Sequence, residues 1–461
     1  QTATAKRPDG REYAFNKTPA SLWVPDADVN DRLTELKDGA GVRTGWKYVT
    51  DGDEIETYDA TGRLLSIVDR TGQTQTLTYS TVTTPPTVAP TAGLLIQVTD
   101  SFNRTLNFTY DANARISTLT TPAGEVFNYS YSPYSYISVS YDHLASVTFP
   151  SGETRTYVYE NDVYNIPAAH GLTGVIDENT NRVLTWTYDG FGRASGSSRA
   201  GGVASYTISR DYDANLNTTS AYVIDPLGTG RTYNFQTILG VVKTTGVSEP
   251  CPSCGGTSSQ ATTYDVNGNV DSKTDFNGKK VCYAYDLARN LETARVEGLE
   301  AAEDCATSIA TPPSRPDVRK TTTTWHATYR LPVTITEPAA AATVGGTPGT
   351  KTTDFTHDAN GNVLTKTVTA PKNDGTAGNE SRVWTWTYNA LGQVLTAKDP
   401  LNRTTTTVYY AATDTAVPPK YTKGDVQTVT NAAAHVTTFN EYDKNGRLKK
   451  LTDPNGLITT M

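Results

Sequence analysis

The side chains best suited to chemistry are four cysteines, five histidines and a large set of aspartates. Cys251-Pro-Ser-Cys254 is a CxxC turn set between Pro250 and Gly255-Gly256, and Cys282 and Cys305 follow, 23 residues apart. Four thiolates could close a tetrahedral zinc site. The same residues could form two disulfides, Cys282 with Cys305 and Cys251 with Cys254, or remain free thiols. Zinc fingers usually carry a second short-spaced pair, which the 23-residue gap does not supply, so disulfides are the expected reading. A thioredoxin-like role would need a βαβ context that the chain lacks. His143, His170, His326, His357 and His435 show no HExxH or other ligand spacing. Asp265-x-Asn267-x-Asn269 and Asp358-x-Asn360-x-Asn362 imitate the start of a calcium loop. The required Gly is instead Val270 or Val363, and the closing Glu is Phe276 or Thr369, so both read as turns. No GxSxG elbow, P-loop or dinucleotide fingerprint occurs, and nothing singles out a glycosidase-type carboxylate pair. The expectation is a protein with no catalytic site, no cofactor and no resident metal.

The elements that hold these residues are strands. The 461 residues include Tyr 27, Gly 36 and Pro 24 but Met 1, and are rich in Thr, a composition of turns and pleated strands. Net charge is -8, which argues against a nucleic-acid partner, and no apolar run approaches a membrane span. Tyr-Asp recurs at Tyr58-Asp59, Tyr110-Asp111, Tyr188-Asp189, Tyr264-Asp265 and Tyr442-Asp443, with Tyr388-Asn389 a variant. A glycine stands three places past the acid or amide at Gly62, Gly192, Gly268, Gly392 and Gly446. An Asp or Asn side chain accepts from backbone N–H groups ahead of it, and Gly takes the positive φ that closes a hairpin. A second turn follows ten residues on, as from Asp59 to Asp69 and from Asp443 to Asp453, and the aromatic returns after 21, as from Tyr58 to Tyr79. Ten residues leave four for a turn and six for a strand. Stretches such as Trp384-Thr-Trp386-Thr-Tyr388 alternate aromatic and small polar residues, as a half-buried strand does. The fold class is therefore all-β: an antiparallel array of hairpins, at most about 22 of them at this period, each burying one face only through its neighbours.

The rhythm breaks in three places. Residues 81–93 and 311–350, rich in Pro with Thr, Ala or Gly, read as loops or inserts. Residues 287–304 place Leu287, Leu291, Ala294 and Leu299 near helical spacing and are the single helix candidate.

The Tyr-Asp units resemble the YD-repeat, or Rhs-repeat, family of bacterial Rhs proteins, insecticidal toxin-complex shell components and the teneurin YD region. The match is carried by Tyr58-Asp-Ala-Thr-Gly62-Arg63-Leu64, Tyr188-Asp-Gly-Phe-Gly192-Arg193 and Tyr442-Asp-Lys-Asn-Gly446-Arg447-Leu448. Arg7-Pro-Asp-Gly10 and Trp23-Val-Pro-Asp-Ala-Asp28 look like the family's early repeats, so residues 1–461 are expected to be one continuous array with 1–56 as its opening. The resemblance implies a sheet spiralling into a complete or partial hollow shell. It implies a non-catalytic scaffold of an exported bacterial protein that encloses or presents another polypeptide, such as a C-terminal toxin. Toxin-bearing members end their shell with an aromatic-rich core and an aspartate self-cleavage sequence, whereas Asp453-Pro454 keeps the ten-residue spacing of an ordinary second turn. The expected partners are polypeptide cargo or further repeats beyond Met461. The alternative is an extracellular adhesion, glycan-binding or self-assembling surface protein on the same repeats. Gln1 opens without an export-signal pattern, so any such signal is expected to have been removed or to lie outside the sequence.

Overall fold

The structure, a computed structural model, describes residues 1–136, 139–160, 170–251, 256–339, 349–372 and 376–461. Among these residues thirty-six strands form one sheet in which each strand pairs antiparallel with the next in sequence, from Thr2–Lys6 to Ile458–Thr460. The first and last strands do not pair, so the sheet is unclosed. The regular wall strands are five to seven residues long, such as Leu64–Val68, Thr74–Tyr79 and Val394–Lys398.

The turns show why the sequence folds this way. In the Asp59 unit, Asp59 N–H donates to Arg63 O at 2.9 Å and Gly62 N–H donates to Asp59 O at 3.1 Å. Asp59 Oδ1 accepts from the N–H groups of Thr61 and Arg63, each at 2.9 Å. The geometry is a type I turn closed by a left-handed residue, Gly62 at φ 90°. The same bonds recur at Asp443 and, ten residues on, at Asp453, so Asp453-Pro454 lies in an ordinary hairpin turn.

This is a thin wall with little core. Its accessible surface is 26,094 Å². A compact monomer of 49.7 kDa would expose about 17,000 Å². Two buried clusters stand out among the described residues. At the N-terminus the hairpin Thr2–Lys17 folds over the aromatic face of the following strands. Phe15, Trp23 and Tyr48 are buried there against Ala3, Ala5, Trp46 and Tyr58. The second cluster is Cys282, Val296 and Leu299, covered by Cys305, Ile309 and Val318.

Two sequence expectations fail here. Residues 287–304 are not a helix: Leu291–Glu300 is a strand, and the helix, of six residues, is Cys305–Ala310. Register shifts at Lys280/Cys282 and Ala284/Tyr285 insert extra residues into Leu291–Glu300. Each extra residue turns a spacing of two into three, so Leu291, Ala294, Val296 and Leu299 are all buried while imitating helical periodicity. Residues 311–350 are not one insert either, because Arg319–Trp325 and Pro332–Pro338 are wall strands. Pro332 and Pro338 stand at strand ends, where proline is tolerated; residues 340–348 lie outside the described residues. Residues 81–93 form a loop closed by Gly93 N–H on Ser80 O at 2.9 Å.

Candidate functional site

The repeat-signature residues are brought together in one recurring device. Tyr58, Tyr110, Tyr188, Tyr264, Tyr388 and Tyr442 each stand at or next to the end of a strand, at a register shift where one extra residue is accommodated. Most of the ring hydroxyls reach back across the sheet to a backbone carbonyl. Tyr79 donates to Leu64 O at 2.7 Å, Tyr110 to Leu95 O at 2.7 Å and Tyr131 to Ile116 O at 2.9 Å. Tyr188 reaches Leu172 O, Tyr264 Thr244 O, Tyr388 Val363 O and Tyr442 Val426 O at 2.7–2.8 Å. Tyr58 differs, donating to Glu56 Oε2 at 2.6 Å. Burial pushes the Tyr442 hydroxyl up to about 12, so the latch stays protonated and donating. Arginine after the turn adds a second tie. Arg63 lies over the Tyr79 ring, Arg115 over Tyr131 and Arg193 over Tyr212, at 5.0, 4.6 and 4.3 Å. Arg447 also donates to Asp443 Oδ2 at 2.6 Å.

Sequence reasoning found the turns but missed the latch. Its signal was present: Leu64, Leu95, Ile116 and Val394 each precede a latching tyrosine by 15 residues.

The other feature the sequence did not show is a seam. The ribbon curls until turns on its two opposite edges meet. Gln73 Nε2 donates to Leu391 O at 3.0 Å. Ala123 N–H donates to Asn445 Oδ1 at 2.9 Å, and Glu125 accepts from Asn445 Nδ2 and Arg447, each at 2.7 Å. Nearer the N-terminus, Asn290 Nδ2 donates to Asn30 Oδ1 at 3.0 Å and Arg330 N–H to Asp53 Oδ2 at 3.3 Å. Gly392 and Gly424 permit this approach, since a Cβ there would collide with Thr71 and Phe102. A crevice of about 610 Å³ opens along the seam between Asn30, Arg32, Asn267, Arg289 and Arg330.

Cys282 and Cys305 form a disulfide that pins the short helix onto the sheet face opposite Tyr283 and Tyr285. Sulfurs bonded to each other cannot ligate as thiolates, which overturns the four-cysteine zinc alternative. Cys254 lies outside the described residues, and with it the second predicted pairing. Among the described residues no cluster of three or more His, Cys, Asp or Glu is placed to hold a metal ion. In the calcium-like segment, Asn269 Nδ2 donates to Asp265 Oδ2 at 2.9 Å, a bond within the turn. His357 occupies a tyrosine position at a register shift and packs edge-on to His326. His143 and His170 hydrogen-bond ring to ring at 2.8 Å. Among the described residues no helix is long and apolar enough to cross a membrane.

Comparison with known proteins finds two matching stretches of sequence and a set of similar solved structures. The RHS Repeat family model matches residues 91–126 and 422–458. No curated protein matches the chain. Among solved structures the chain is similar to TcdB2-TccC3-Cdc42, with 13% identity and a TM-score of 0.45 over 98% of this chain and 22% of that one. It is also similar to TcdB2-TccC3, with 12% identity and a TM-score of 0.45 over 98% of this chain and 22% of that one. A third is the Photorhabdus luminescens Tc holotoxin pore, with 12% identity and a TM-score of 0.36 over 93% of this chain and 26% of that one. The chain thus spans about a fifth to a quarter of the length of those chains. The molecule is an antiparallel hairpin-repeat protein. RHS repeats are matched in it at the two stretches 91–126 and 422–458.

Proposed function

We propose that this chain is a wall segment of a hollow shell that encloses or presents another polypeptide, in an exported protein. The observation that carries the reading is the seam: a single-layer ribbon whose opposite edges meet, as where Gln73 reaches Leu391, bounds a space with a wall. The large surface for the mass supports it, since both faces of the wall stay open to solvent. The Cys282–Cys305 disulfide supports export, because disulfides persist in oxidising compartments. The reading is structural and assigns the chain no reaction.

Solution scattering tests the wall: the radius of gyration should lie well above the roughly 23 Å of a compact chain of this length. Electron-microscopy averages should show a lumen, and a compact particle without one overturns the reading. Enclosure has its own test. A reporter polypeptide fused behind Met461 should be digested by protease more slowly than the same reporter free in solution.

A further inference from the structure

Two stations of the seam receive an arginine with different chemistry. At the Asp443 turn, Arg447 meets the carboxylate of Glu125 at 2.7 Å. Hydrogen bonds from Arg447 and Asn445 hold the Glu125 carboxyl below the ordinary glutamate value, so it stays ionised in mild acid. At the other station Arg70, from the Asp69 turn, lies over the Tyr329 ring at 5.7 Å. Arg70, Tyr329 and Leu331 stand around Gly361, where a Cβ would touch all three. Arg70 has no carboxylate partner among the described residues. What it faces instead is a pair of imidazoles, His326 and His357, packed edge to face at 5.9 Å.

His326 shapes the turn that meets Arg70. Its Nδ1 accepts from the N–H groups of Thr328 and Tyr329 at 3.2 and 3.1 Å, much as Asn431 Oδ1 accepts from Ala433 and His435 in a wall turn. An imidazole nitrogen accepts only while it carries no proton; an asparagine oxygen has no such condition. From this turn the Tyr329 hydroxyl donates to Ala359 O at 2.8 Å, and Arg330 N–H reaches Asp53 Oδ2 across the seam at 3.3 Å. His357 stands where the repeat places tyrosine. Burial first, then His326 and Arg70, hold it below the ordinary histidine value of 6.5, against the opposing pull of Asp358. The charged groups around the two rings are Arg70 from the opposite edge, Asp358 beside His357, and Arg289, which donates to His326 O and Tyr329 O at 2.8 Å. Asp358 is already engaged by Asn360 N–H and by Asn362 N–H and Nδ2, each at 2.9 Å.

We infer that the turn 326–331 is an acid-sensitive clasp: protonation of His326 and His357 releases it from the Asp69 turn and opens this stretch of the seam, while the Glu125 station stays shut. Two effects act together. A proton on His326 Nδ1 removes the acceptor that shapes the turn. Protons on both rings also set cations beside Arg70, where no carboxylate from its own edge answers them. His357 takes a proton less readily in the closed seam than in the open one. The closed station is therefore fully stabilised above about pH 6.5, and that stabilisation is lost as pH falls through the lower folded value. The clasp belongs to the seam itself and holds whether or not the wall encloses a polypeptide.

Hydrogen exchange of the intact chain at about pH 7.5 and about pH 5.5, corrected for the intrinsic rate at each, reads the clasp across the range where histidine titrates. Protection at residues 326–331 and 69–73 should fall at least roughly tenfold at the lower pH. Residues 443–447 and 121–125 should keep theirs in the same samples. His326→Asn supplies an acceptor that does not titrate, and His357→Tyr restores the repeat's own residue. The double variant, its fold checked by circular dichroism, should hold its protection at the lower pH. Arg70→Gln removes one of the repelling charges and should move the loss to lower pH. Equal protection of the clasp at both pH values overturns the proposal. So does a loss that persists in the double variant, an equal loss at 443–447, or an Arg70→Gln chain that opens at the unchanged pH.

Discussion

The first strands and the last strands are made of the same kind of hairpin and are held in different ways. Near the N-terminus, Phe15 and Tyr48 are fully buried, and their rings meet edge to face at 5.9 Å. Arg7 forks onto Glu56 at 2.7 and 2.8 Å, and the two side chains are 14% and 9% exposed. From Asn379 to Met461, by contrast, Thr422 is the only buried residue. Those strands rely on the turns at Asn389, Asp399, Asn431, Asp443 and Asp453 and on the tyrosine latches at Tyr388, Tyr409 and Tyr442. The opening concentrates its stability in a few side chains; the wall distributes it over many equivalent small bonds. A repeat protein sums such local and nearest-neighbour terms, and of these two regions the opening adds a core to the sum.

Substitutions in the two regions should therefore differ in size. Phe15→Ala should have the largest effect, about 3–5 kcal/mol, because it empties a fully buried ring site. Hydrogen exchange should show the N-terminal hairpin opening while residues 379–460 keep their protection. If Phe15→Ala costs no more than a wall substitution, the contrast fails.

Glu56→Gln should cost about 3 kcal/mol by leaving Arg7 half-buried without its countercharge. Burial pushes the Glu56 carboxyl up, but hydrogen bonds from Arg7 and Tyr58 outweigh it and hold the group below the ordinary glutamate value. A carboxyl depressed in the folded state contributes fully above its unfolded pKa of about 4.5. That contribution is lost as pH falls through the lower folded value. An acid titration of N-terminal exchange should show this loss, and Glu56→Gln should remove this pH-dependent component.

In the wall, Tyr409→Phe removes one latch at 3.1 Å and should cost about 1 kcal/mol. Chemical denaturation measures it, and a cost near that of Phe15→Ala would show that the wall is not distributed. The smallest effect has the opposite sign. Leu216 holds φ 62° where most turns place glycine, so Leu216→Gly should be neutral to stabilising by up to about 1 kcal/mol in thermal denaturation.

The legible part of this molecule was local. An Asp that accepts from two N–H groups ahead of it and a Gly at positive φ leave a mark, so hairpins such as those at Asp59, Asp265, Asp443 and Asp453 could be read one by one. The disulfide between Cys282 and Cys305 was readable because the 23-residue spacing argued against a zinc site. Bulges were harder, because an added residue changes the period. That is why Leu291–Glu300 imitated a helix. The seam was beyond reach for a different reason. Gln73 and Leu391 are brought together by curvature accumulated over the intervening strands, and no pair of residues encodes it.

That curvature fixes a size. Twenty-three strands separate the Gln73 turn from the Leu391 turn it meets. At roughly 4.8 Å between neighbouring strands, one circuit measures roughly 110 Å, a backbone-to-backbone diameter of roughly 35 Å. Side chains on the inner face narrow the bore to roughly 25 Å, taking half of the roughly 10 Å spacing of packed sheets from each wall. A folded domain of about 100 residues, with a radius of gyration near 13 Å, is roughly 34 Å across and does not fit. A polypeptide lodged in such a bore would have to lie there as unfolded chain and acquire its own fold only after leaving.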